Sequence, residues 1–282
     1  MRVRIRNRAD YVYEETVSFS PHVFRLFPKS DSFLRVVAGS FETNSNAVVR
    51  HRRDLFDNPI AHCFYPEKSD TLHCELTLLI EVEEHNAFDF LLDTRAVELP
   101  FDYTAREAQL LGPYLAAERV TLPFWNAPTG KAPTVDTLVD LNTAIYEALE
   151  YERREEGAAR SPAETLAAGS AACRDLAVLL AAALRPLGLA SRLASGFLCE
   201  FEADEEDRRA EGALHAWTEV FLPGAGWLGM DPTNGTFCSH HHITAAVGLA
   251  PDDVAPVLGS YFGDRRVPSR MDAKLEIKPC NP

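Results

Sequence analysis

Residues 169–189 read GSAACRDLAVLLAAALRPLGL, and the reading of this stretch decides the fold. From Leu176 to Leu184 it is apolar nearly all round, the pattern of a helix buried at the centre of a domain. Pro186 cannot continue that helix and Gly188 closes it, so a helix from Ala171 to Arg185 is expected. Ser170 is the residue type that caps a helix start, which would put Cys173 at the third helical position. Backbone N–H groups in a first turn lack intrahelical partners and the macrodipole is positive there; both favour a thiolate. Taken alone the thiol stays ambiguous, because cysteine is also among the commonest buried residues.

The downstream sequence supplies partners. SRLASGFLC (191–199), LHAWTEVFL (214–222) and WLGMD (227–231) read as strands, with PGAG between the last two as a hairpin turn. A buried helix followed by an antiparallel sheet is an α+β arrangement. Alternation puts His215, Trp217 and Glu219 on one face of their strand. Pairing across PGAG then sets Asp231 on the strand next to His215. A cysteine nucleophile needs an imidazole partner, itself oriented by a third group, and Cys173, His215 and Asp231 are the candidates for these three roles. Trp217 reads either as a wall of the cleft or as a core tryptophan.

Upstream, TVDTLVDLNTAIYEALEYERR (134–154) repeats Leu138, Leu141, Ile145 and Leu149 at helical spacing, with Asp136 in the first turn. Ser161-Pro162-Ala163-Glu164 is a capping box for a short helix that Gly169 can end. The Pro-rich stretch from Pro100 to Pro133 reads as a crossing between domains. Before it, Arg2–Ile5, Tyr11–Val17, His22–Phe27, Phe33–Ala38, Ala47–His51, Ala61–Tyr65 and Thr71–Val82 read as short strands. Clusters such as PKSDS, NSN and PEKSD punctuate them. This predicts a small antiparallel β-sandwich over residues 1–95 and a catalytic domain over 96–282.

Composition narrows the partners. A net charge of −14 on 282 residues argues against nucleic acid, whose binders need a basic face. No apolar run approaches the roughly 18 residues a membrane span requires, and MRVRIRNRADYVYEE lacks the apolar segment of a secretory signal. A soluble, cytoplasmic protein is expected, with neither nucleic acid nor membrane as partner. The six cysteines include no C-x-x-C pair, so free thiols are expected.

The ordered motifs GSAACRDLA, RPLGLASRLASGFL and LHAWTEVFLPGAGWLGMDPTNG resemble the transglutaminase-like superfamily of bacterial proteins, most strongly over residues 161–262. HHIT and DVAPVLGSYFG downstream extend the likeness, and the first ~95 residues resemble more loosely the β-rich region that often precedes this domain. The resemblance implies a papain-like core with a Cys-His-Asp triad: Cys173 as nucleophile, His215 as general base and later acid, Asp231 as the orienting carboxylate. The sequence departs from the pattern at two points. Ala171 stands where the superfamily usually has glycine, and Ala167 where papain-like enzymes have an oxyanion-hole glutamine. The Cys173 N–H remains available as one oxyanion donor.

Other candidates read as structure. In Cys238-Ser-His240-His241-His242, consecutive histidines on an extended chain face alternate sides, so a polar loop is expected rather than a metal site. His242 matches a position that is often histidine in the relatives and is expected to hold a structural hydrogen bond. The acidic run 200–212 reads as a solvated loop. The His62-Cys63 and His73-Cys74 pairs read as core packing. The expectation is a cysteine-dependent amide-bond enzyme on a peptide or protein substrate, with no cofactor and no metal. The triad leaves the acyl acceptor open: water makes a peptidase or amidase, an amine makes a transglutaminase, and hydrolysis is the leading reading. A non-catalytic binding module on the same fold is the reading from another class.

Overall fold

The computed structural model describes residues 1–116, 120–154, 157–199, 214–263 and 267–280. The acidic run expected as a loop at 200–212 lies outside the described residues.

The first part of the chain forms two antiparallel sheets. Strands β1 (Arg2–Phe19), β3 (Leu34–Thr43) and β6 (Ser69–Val82) build one; β2 (His22–Phe24), β4 (Val48–Arg53) and β5 (Pro59–Phe64) build the other. Val3, Ile5, Leu76, Leu78 and Ile80 of the first sheet pack against Phe24, Ala61 and Cys63 of the second. The two sheets are antiparallel, as expected, but their strands differ from the prediction. The two strands predicted within 2–17 are a single long β1, because Val3, Ile5, Asn7 and Ala9 keep alternating inward past the polar RNRAD. The arginines between them point outward; Arg6, for instance, meets Glu75 at 2.8 Å.

The second part is a helix on a sheet. A short ladder of β7 (Glu98–Leu99) and β8 (Ala132–Pro133) brackets α1 (Ala105–Leu115), and α2 (Thr134–Ala148) follows. The α2 helix stops at Ala148, short of the predicted Arg154, because residues 150–151 turn extended as β9 and pair in parallel with β10 (Ser170–Ala171). Helix α3 (Pro162–Ala168) lies between these two strands, with the Ser161/Glu164 capping box formed and Gly169 closing it at φ 69°. Next comes α4 (Cys173–Leu184), packed on the antiparallel sheet β14-β13-β12-β11-β15. Its strands are β11 (Ser191–Leu198), β12 (Leu214–Leu222), β13 (Gly226–Asp231), β14 (Thr236–Phe237) and β15 (His242–Gly248). The predicted hairpin is present, with Leu222 opposite Gly226.

Ala177 and Ala181, one turn apart on α4, let the sheet approach closely. Thr218 Oγ1 donates to the Ala177 carbonyl at 2.7 Å and Ser191 Oγ to that of Ala181 at 2.9 Å. The helix is therefore bolted to the sheet by hydroxyls as well as by apolar contact.

After α5 (Pro251–Val254) the chain returns to the sandwich. Strand β16 (Val257–Leu258) pairs with β2, and β17 (Tyr261–Phe262) and β18 (Ser269–Pro279) pair with β1. Residues 257–279 thus complete the sheets of the first part. The two parts also meet at Asn58, which is fully buried. Its amide donates to the Val247 carbonyl at 2.8 Å and accepts the Val247 N–H at 2.8 Å, satisfying the open edge of β15.

Candidate active site

Helix α4 begins at Cys173 itself, with Ala172 as cap, so the cysteine holds the first helical position and not the third. Ser170, the expected cap, is drawn into the ladder with β9 and gives its hydroxyl to Glu152 at 3.0 Å. The cap role falls to Asp175, whose carboxylate accepts the Ala172 N–H at 3.1 Å. Asp175 is fully buried yet satisfied, with Arg154 Nη2 at 2.8 Å and the Arg160 N–H at 2.7 Å. The chain after α2 is in this way tied to the start of α4. Ala171 is an extended ladder residue, a conformation any residue adopts, so the expected glycine is not needed there.

The structure brings the three predicted residues together. His215 stands on β12, and its Nε2 meets Asp231 Oδ2 at 2.7 Å with both side chains fully enclosed. The Asp231 carboxylate accepts three further N–H groups: Thr233 N at 2.9 Å on Oδ1, and on Oδ2 Asn234 Nδ2 at 2.9 Å and His242 Nε2 at 3.2 Å. His215 Nδ1 is buried and takes no conventional partner among the described residues. The thiol of Cys173 neighbours this ring and the Ala216 N–H, and each of the two side chains shifts the proton affinity of the other. With Nε2 given to Asp231, Nδ1 is the nitrogen left for the sulfur.

The electrostatics follow from these contacts. Burial pushes the Cys173 thiol up, but the hydrogen bond and charge of His215, with the Ala216 N–H, more than reverse it, and the net shift is downward. Burial pushes His215 down, while the charge and hydrogen bond of Asp231 and the contact with Cys173 raise it well above the ordinary imidazole range. Asp231 is held far below the usual carboxylate range, because the two imidazoles outweigh its burial. The arrangement favours a thiolate–imidazolium pair. Cys173 keeps partial exposure as a residue.

Two neighbours were not singled out by sequence reasoning. Tyr151 lies opposite Ala171 in the ladder, and burial first, then the Cys173 and Asp231 charges, push its phenol up to about 12. It is a neutral O–H beside the site, and the only sequence sign was a tyrosine just past the α2 pattern. Gly196 faces His215 on β11; a Cβ there would lie 1.9 Å from the Ile243 carbonyl oxygen. Only glycine lets β15 cross at that distance and bring His242 to Asp231.

Trp217 shares the face of His215, their rings 6.2 Å apart, and meets His242 edge-on at 5.4 Å. Glu219, farther along, pairs with Arg192 at 2.6 Å. The three consecutive histidines sit at a turn and do not alternate as expected: the His240 and His241 rings lie 4.0 Å apart, His240 Nδ1 donating to the His85 carbonyl at 3.3 Å and His241 Nδ1 to that of Cys199 at 3.0 Å. His215, Asp231 and His242 do bring ligand-type atoms within 4.8 Å of one another. Their protons already fill the carboxylate, and a cation there would have to displace both imidazole N–H groups.

The fold and site define a transglutaminase-like core with an N-terminal β-rich region. Residues 125–232 match the transglutaminase-like superfamily, and residues 3–81 match the bacterial transglutaminase-like N-terminal region. The two matches fall in the order the sequence implied. Over its full length it resembles a solved structure from Cytophaga hutchinsonii described as a "Putative Cysteine Protease". That likeness has a TM-score of 0.70 at 16% identity, covering 100% of this chain and 92% of that one, and shows the shared fold. The uncharacterized protein Rv2569c of Mycobacterium tuberculosis is 28% identical over 297 residues, covering 99% of this chain and 93% of its own. The uncharacterized protein ML0607 of Mycobacterium leprae is 34% identical over 105 residues, 37% of this chain and 36% of its own. No described helix is long and apolar enough to cross a membrane.

Proposed function

We propose that the chain is a cysteine-dependent amide-bond hydrolase acting on a peptide or protein, with Cys173 as nucleophile, His215 as acid and base, and Asp231 as orienting carboxylate. The observation that carries this reading is the 2.7 Å contact of His215 Nε2 with Asp231, made while the same ring also engages the Cys173 thiol. The thiolate attacks the scissile carbonyl carbon, and the resulting oxyanion is held by the Cys173 N–H. As the C–N bond breaks, the imidazolium gives its proton to the leaving amine, and an acyl-thioester remains. Water then attacks the thioester carbonyl, His215 takes its proton, and the thiolate leaves with the acid as product.

An amine in place of water would give transglutamination through the same steps. Water is favoured because it needs no second binding pocket, only access.

Alkylation by iodoacetamide across pH, followed by peptide mass mapping, tests the nucleophile. Cys173 is expected to react well below pH 8 and faster than the other five thiols. Equal reactivity would overturn the assignment. Incubation with a peptide library, with and without a primary amine, separates the acceptors by product mass: an acid supports hydrolysis, an amine adduct supports transfer. Reactive Cys173 with no turnover of any peptide would favour a binding module.

A further inference from the structure

We propose that His242 is a positioning residue of this site, a second imidazole whose Nε2–H fixes the Asp231 carboxylate and, through it, the ring of His215. The inference rests on the triad reading above and adds to it a fourth side chain whose protonation the backbone dictates.

The tautomer follows from the hydrogen bonds. The Ser239 N–H donates to His242 Nδ1 at 3.3 Å, so Nδ1 must carry a lone pair and the ring proton must sit on Nε2. That Nε2 lies 3.2 Å from Asp231 Oδ2. The His242 N–H in turn donates to the Ser239 carbonyl at 2.9 Å, so ring and backbone are held by the same residue. Trp217 closes over the ring edge-on, and the side chain is 5% exposed. Nothing in this setting lets the ring turn over without losing a bond.

The consequence falls on Asp231. With Thr233, Asn234 and both imidazoles donating to it, the carboxylate cannot swing away from His215 Nε2. His215 Nδ1 is therefore kept facing the sulfur. Sharing its charge between two rings also tempers the hold of Asp231 on the His215 proton, which must be surrendered to the leaving amine. Charged and titratable groups face His242 from two sides. Asp231 and His215 lie on one; Lys29, Asp31, His85, Arg192, Glu219 and His240 line a cavity of about 210 Å³ on the other.

Two measurements test the role. In the first, iodoacetamide alkylation of Cys173 is followed from pH 4 to 10 in the wild type, His242→Phe and His242→Gln. The wild-type rate should rise in two steps, thiolate formation and then loss of the His215 proton. Phe keeps the ring volume but removes the donor, and should move the second step upward by about one pH unit, a tenfold gain in proton affinity. Gln supplies an amide N–H to Asp231 and should return the step near its wild-type position. Identical second steps in all three proteins would overturn the proposal, as would equal displacement in Phe and Gln. The second measurement needs no variant. Nitrogen NMR of the wild-type chain should show His242 neutral and protonated on Nε2 at pH 7, and a proton on Nδ1 would overturn the proposal. A wild-type Cys173 with a single step in the ordinary thiol range would instead sink the triad reading, whatever His242 shows.

Discussion

Cys74, buried in the sandwich, and Cys173, partly exposed at the head of α4, are the same residue in two settings, and they are driven in opposite directions. Burial is the leading influence on both. At Cys74 the Ala9 backbone hydrogen bond is too little against it, and the thiol is pushed up to about 12. At Cys173 the neighbouring imidazole and the Ala216 N–H reverse the same penalty. The proton affinity of a cysteine is set by its partners, and here they come from β12, the central strand of the sheet on which α4 packs.

The comparison can be broken most sharply at His215. In His215→Ala the thiol of Cys173 should behave like the packing thiols, and alkylation at pH 6 should fall by about a hundredfold or more, as expected when a group with an ordinary thiol pKa replaces an ion pair. A rate within threefold of wild type would remove the contrast. The sandwich side is probed at Asn58, whose loss leaves the N–H and C=O of Val247 buried without partners. Asn58→Ala should cost about 2–4 kcal/mol by urea denaturation, with both groups contributing to the penalty.

Asp231→Asn should have a smaller effect, about tenfold on alkylation at pH 8. Its sign follows from the shift it removes. In the folded chain His215 holds its proton more tightly than when unfolded, chiefly through Asp231 against the opposing pull of burial. The associated stability is fully present below the ordinary imidazole value near 6.5 and is lost as pH rises through the raised one. In Asp231→Asn that alkaline loss should move to lower pH and shrink, which thermal melts between pH 6 and 10 would record. The smallest effect is expected at Ser161, where Ser161→Ala removes one half of the α3 capping box at about 1 kcal/mol. It should leave Cys173 reactivity unchanged.

Much of the site was legible because its pieces are local. The β12–β13 hairpin follows from alternation on either side of PGAG and places Asp231 on the strand next to His215, one residue past the Thr218–Met230 pair. The buried helix announced itself through its uninterrupted apolar run. The start of that helix was misread because residue type suggests a cap, whereas the cap is decided by competition. Glu152, eighteen residues away, takes the Ser170 hydroxyl, and a buried Asp175 held by Arg154 replaces it. Asn58 was illegible for a related reason: an asparagine in a loop looks like turn chemistry until its edge-strand partner is known. The strand β18 escaped notice because SRMDAKLEIKP shows only weak alternation, its Leu275 and Ile277 packing only partly buried against the sandwich core.

The pairing of β1 with β18 sets a schedule for biosynthesis. Val3 is matched with Pro279 and Tyr13 with Ser269, so β1 waits for a partner made much later in the chain. Such distant pairing slows folding and leaves a long sheet edge open to other nascent chains in the meantime. The outward-facing row Arg2, Arg4, Arg6 and Arg8 sits on that waiting strand. Like charges on neighbouring nascent copies repel, and the row thereby guards β1 against pairing with a copy of itself until its own partner arrives.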